Sequence, residues 1–126
     1  MKRLLVIMAA AEAAVGIGLI VLPSRVASLL LGAALDTAVA STVARVAGVA
    51  LLALGVACWR ARDDTQSRAA TGIVSAMLIY NAGVGALLVY AALGLGLSSF
   101  APWPTAILHA GLAAWCMGSL AKGTPG

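Results

Sequence analysis

Residues 4–22, LLVIMAAAEAAVGIGLIVL, form an apolar stretch broken only by Glu12 and stopped by Pro23-Ser24-Arg25. About 20 apolar residues in a helix cover the ~30 Å hydrocarbon core of a bilayer. The stretch therefore reads as a membrane span, and three more follow it. The second runs over 37–59 with Asp36 as its N-cap, and ends at the basic cluster Arg60-Ala61-Arg62. The third covers 70–94 and fades at Gly94-Leu95-Gly96. The fourth covers 104–121, opening on Pro104 and closing before Lys122 and the tail Gly123-Thr124-Pro125-Gly126. With 126 residues in all, the chain has room for four spans and no further domain. The predicted fold is all-α, a single integral membrane four-helix bundle.

Composition points the same way. The chain is 63% hydrophobic, 10% charged and 5% aromatic, with a mean hydropathy of +1.06. Soluble domains carry roughly 45–50% apolar and about 25% charged residues. The basic residues are sorted: Lys2, Arg3, Arg60, Arg62, Arg68 and Lys122 fall at one side of the four-span arrangement, and Arg25 at the other. The positive-inside rule then places both termini in the cytoplasm of a bacterial inner membrane. Trp59, Phe100 and Trp103 sit at span ends, as interfacial aromatics do. The net charge of +4 thus marks topology, and no nucleic-acid partner is expected.

Two local segments modify this picture. Met1-Lys2-Arg3, the apolar run after it and Ala9-Ala10-Ala11 have the parts of a secretory signal; cleavage there would leave three spans. The apolar stretch continues to Leu22, which favours an uncleaved span. Pro23 to Leu35 is too short to cross, and places Val26, Leu29 and Leu30 on one helical face with Arg25 and Ser28 on another. It reads as a short interfacial segment, or as an apolar loop folded over the bundle mouth.

Each span carries an interior polar residue: Glu12, Arg45, Asn81 and His109. Such groups are costly in a bilayer and face protein or water. Small residues lie one turn beyond three of them, at Gly16, Gly48 and Gly85, so these faces can pack closely. The simplest arrangement pairs Glu12 with Arg45 and adds hydrogen bonds from Asn81. The cluster either fixes helix register or lines a cavity for the head of an amphipathic molecule. His109 lies nearer the interface, where water satisfies an imidazole. Glu12-Ala-Ala-Val-Gly16 aligns with Asn81-Ala-Gly-Val-Gly85, and Ala47-Gly48-Val49-Ala50 with Ala110-Gly111-Leu112-Ala113, which hints at a parallel duplication of a helix pair. Ala106/Ala110/Ala114/Gly118 and Ala40/Ala44/Gly48 are small-residue ridges, read as packing within the bundle, with a homodimer seam or a partner membrane subunit as the alternative.

The chain has one His, and Cys58 and Cys116 fall on different spans, so neither a metal site nor a disulfide is expected. No nucleophile–base set or phosphate loop can be assembled, and no cofactor or enzymatic activity is predicted. Glu12 within the first of four spans resembles the small multidrug resistance exporters, which implies a proton-coupled cation exporter using Glu12. The aromatic-rich second and third spans of that family are missing here. The span spacing, Gly16 to Pro23, Ala44-Arg45-Val46-Ala47-Gly48, Leu54-Gly55, Trp59-Arg60-Ala61-Arg62 and Asn81 together are similar to small DoxX-like bacterial membrane proteins. That resemblance implies a four-helix bundle with an accessory role and transfers no catalytic residue. The expected function is binding or accessory, with Glu12, Arg45, Asn81 and His109 holding the head of a small amphipathic ligand or membrane lipid. A structural subunit of a membrane complex is the remaining alternative.

Overall fold

The computed structural model describes residues 1–95 and 100–122, and among them every regular element is a helix. Five helices follow in order: α1 (Lys2–Val21), α2 (Pro23–Leu31), α3 (Ala38–Ala61), α4 (Arg68–Gly94) and α5 (Pro102–Ala121). Gly96 at the fading end of the third span and the tail from Gly123 to Gly126 lie outside the described residues. Of the helices, α1, α3 and α4 are long and apolar enough to cross a membrane. The fourth expected span, α5, matches α1 in length at 20 residues. Pro102, Pro104, Thr105 and His109 lower the hydropathy of its first half.

Local chemistry sets the boundaries. A residue before proline is pushed out of the helical region; Leu22 takes φ −130°, ending α1, and Pro23 starts α2 at a position that needs no N–H. The cap of α3 is Thr37 rather than Asp36: its hydroxyl accepts from Ala40 N at 3.0 Å. Ser67 caps α4 in the same way, through Ala70 N at 3.1 Å. Proline opens α5 two residues earlier than expected, at Pro102.

Two antiparallel helix pairs make up the body, α1 with α3 and α4 with α5. In the first pair the backbones touch. A Cβ on Gly16 would lie 2.7 Å from Gly48 O, and one on Gly48 2.7 Å from Gly16 O. Gly85 faces α5 more loosely, with the His109 Cβ 3.7 Å from where its own Cβ would stand. Gly16 and Gly85, the matched glycines of the sequence repeat, thus both turn toward the partner helix. Gly111, the counterpart of Gly48, faces open space. The α5 ridge departs from its expected inward role: Ala106 is buried, whereas Ala110, Ala114 and Gly118 are exposed.

The pairs meet through side chains. Leu4, Leu5, Met8, Val74, Met77 and the two free thiols Cys58 and Cys116 are fully buried in one cluster near the terminal end. That end also carries most of the charge. Lys2 Nζ lies 2.7 Å from Asp63 Oδ1, Arg62 Nη2 lies 3.2 Å from Asp63 Oδ2, and the Arg62 guanidinium stacks 3.8 Å over Trp59. The hydrogen bond from Lys2 holds the Asp63 carboxyl below its usual range. At the opposite end α2 folds across the gap between the pairs. It stops at Gly32 with φ 74°, a left-handed conformation that suits glycine. Ser24 Oγ then clasps the returning chain, donating to Leu35 O at 3.3 Å and accepting from Leu35 N at 3.1 Å. The apolar face of α2 that turns inward is Ala27, Leu30 and Leu31. Leu29, expected to share a face with Val26 and Leu30, is 76% exposed.

Candidate binding cavity

The packing that is tight around Leu4 and Met77 opens toward α2 into a cavity of about 310 Å³. Val15, Leu19, Val84 and Leu88 supply apolar walls, and Ala27, Leu30 and Leu31 of α2 roof it. Glu12, Tyr80 and His109 are its ionisable lining groups. Each arrives from a different helix, α1, α4 and α5. The cavity therefore exists only where the two pairs come together.

Glu12 is 5% exposed. Its hydrogen-bonding partner is the phenol of Tyr80, which donates to the carboxyl. No Lys or Arg forms an ion pair with Glu12 among the described residues. Asn81, one residue beyond Tyr80, is fully buried. Its Nδ2 donates to Met77 O at 2.7 Å, so its Oδ1 is the atom 2.8 Å from His109 Nδ1. A carbonyl oxygen only accepts, so Nδ1 carries the imidazole proton. The neutral ring then has a lone pair at Nε2, for which no protein partner occurs among the described residues. Tyr80 and His109 also meet edge to face, with centroids 5.7 Å apart.

Arg45 does not join this group. It is exposed, and its Nε donates to Ile20 O at 3.1 Å. The expected Glu12–Arg45 pair fails because of register. The Gly16–Gly48 contact sets α3 antiparallel on α1, and Gly55 repeats that register one turn pair on, against Ala9 O and Ala13 N at 3.1 Å. Arg45 then stands beside the last turn of α1, about two turns or ~10 Å from the level of Glu12. There it serves an orphan carbonyl at a helix C-terminus, which favours a cation.

Of the residues singled out from the sequence, Glu12, Asn81 and His109 thus come together, Arg45 stands apart, and Tyr80 enters unanticipated. Its signal was adjacency: Tyr80 neighbours Asn81 in a span with no other central polar group. Among the described residues, no group of three His, Cys, Asp or Glu side chains is placed to hold a metal ion. None of the protein families, curated proteins or solved structures compared with the chain matches it.

Proposed function

We propose that the chain is a multi-pass protein of a bacterial inner membrane, with four spans and cytoplasmic termini, that binds a small amphipathic molecule or lipid portion between its helix pairs. Exposed valines along α3, among them Val39, Val43, Val46 and Val49, support the membrane setting, since such a face suits lipid and not water. The pairing of α5 along α4 supports a fourth crossing. The observation that carries the binding reading is the roofed apolar cavity with Glu12, Tyr80 and His109 on its lining. An accessory role is what the DoxX-like resemblance adds.

A fluorescent apolar probe such as aminoanthracene tests this reading. It should bind the purified protein saturably, and Val84→Trp, which fills the cavity, should abolish the signal while helical content is unchanged. Equal binding to both proteins would overturn the reading. That no Lys or Arg among the described residues pairs with Glu12 favours one second reading, in which a cation and a proton occupy the carboxyl in turn and are exported and imported. Glu12→Gln would then stop cation-driven proton movement in proteoliposomes, and binding without any such movement in the unaltered protein would exclude export.

A further inference from the structure

The atoms that the cavity offers to a ligand's head are of one kind. When ionised, the Glu12 carboxyl oxygens only accept hydrogen bonds. The Tyr80 hydroxyl spends its proton on Glu12 and keeps an acceptor lone pair. His109, with Nδ1–H committed to Asn81 Oδ1, can contribute only the lone pair of Nε2 while neutral. A fixed set of acceptors calls for a donor. At 5% exposure the Glu12 carboxylate, when ionised, calls for a cation; among the described residues no Lys or Arg pairs with it, and Arg45 is engaged with Ile20 O.

We propose that the cavity's ligand is a primary or secondary ammonium with a single short apolar tail. The ammonium pairs with Glu12, and one of its N–H groups donates to His109 Nε2. Asn81 is the positioning residue, holding the imidazole in the tautomer that can accept. Size narrows the tail. At about 30 Å³ for each water-sized unit, 310 Å³ holds roughly ten such units. A medium-length alkyl or aryl-alkyl amine fits, and a two-tailed phospholipid does not fit inside. A quaternary ammonium has the charge and lacks the N–H, so the site discriminates against it.

The inference rests on the cavity reading above, and the test separates the two. Protein in nanodiscs of zwitterionic lipid is titrated with n-octylamine, octyltrimethylammonium, octanol and octanoate, reading Tm and competition with aminoanthracene. Octylamine should bind most tightly, with octyltrimethylammonium weaker by about tenfold or more, as befits a lost charge-assisted hydrogen bond. Glu12→Gln should weaken octylamine by about tenfold or more and leave octanol unchanged. Because His109 is the chain's single histidine, ¹⁵N-histidine labelling reads the site without any substitution. Nδ1 should be protonated and Nε2 unprotonated in the free protein, with octylamine shifting Nε2. Octanol or octanoate binding as well as octylamine would overturn the ligand class and leave the cavity standing. Equal binding of octyltrimethylammonium, or a proton on Nε2 in place of Nδ1, would overturn the role of His109. No competition by any of the four would likewise overturn the ligand class alone, whereas aminoanthracene binding that Val84→Trp leaves unchanged would overturn the cavity reading with it.

Discussion

Glu12 and Arg45 have opposite charges and lie on the two helices of one closely packed pair, yet they belong to different parts of the molecule. One turns into the cavity, and the other satisfies Ile20 O at the end of α1. The effects of Glu12→Gln and Arg45→Gln on stability should therefore add, within about 0.5 kcal/mol in a double-mutant cycle, as those of groups ~10 Å apart without shared partners do. A coupling well above that would restore the ion pair. Residue type, which the sequence displays, was enough to pick out Glu12, Asn81 and His109 as polar groups in apolar spans. The partner of each depends on helix register, which two glycines fix over a sequence distance of 32 residues and which no local pattern encodes. Those glycines can be tested directly. Gly16→Ala puts a methyl against backbone, where no rotamer change relieves it, and should cost about 1–3 kcal/mol. Gly111→Ala faces open space and should be neutral or gain up to about 1 kcal/mol from helix propensity. Thermal unfolding in one detergent separates the two variants.

Among the elements, α2 departs most from a membrane-surface helix, because its inward face roofs the cavity. Its sequence showed a short apolar helix, and Pro23 and Gly32 mark its ends. Whether its leucines face lipid or protein was hidden, since both surroundings are apolar and periodicity does not distinguish them. Two features hold the roof in place, the left-handed Gly32 and the Ser24–Leu35 clasp. Gly32→Ala adds a strain of about 1 kcal/mol at φ 74°. Ser24→Ala removes both hydrogen bonds of the clasp. Each should accelerate release of aminoanthracene in stopped-flow displacement without changing the unfolding of α1 and α3; unchanged release rates would mean the roof is held by other contacts. At the opposite end the Lys2–Asp63 pair ties the start of α1 to the turn after α3. The Asp63 carboxyl titrates lower in the folded chain than in the unfolded one, so its contribution is present at neutral pH and lost as pH falls through the lowered value. The Tm difference between the unaltered protein and Asp63→Asn should narrow accordingly in acid, and by little, since both groups are more than half exposed.

For the whole molecule, the ends of the helix pairs decide the topology. Met1, Gln66 and Lys122 border one surface pocket, so the start of α1, the turn between α3 and α4, and the end of α5 share an end of the molecule. Ser28, on α2, lies past the other end of α1. The four-span reading had its clearest support in the sorting of Lys and Arg, which needs no tertiary information. Its weakest part is α5, which is not among the helices long and apolar enough to cross a membrane. That helix pairs with α4, so if α4 crosses the bilayer α5 returns through it, and Lys122 ends on the side of Gln66. Engineered cysteines at these positions report the answer in intact cells. Ser28, Gln66 and Lys122 are exposed, while Cys58 and Cys116 are fully buried and stay silent. An impermeant maleimide should label Ser28→Cys from outside and spare Gln66→Cys and Lys122→Cys until the membrane is opened. Labelling of Lys122→Cys from outside together with Ser28→Cys would leave α5 beyond the membrane. In that case the ring of His109 would line no cavity between spans, and the proposed ammonium site would lose the acceptor at Nε2 along with the fourth crossing.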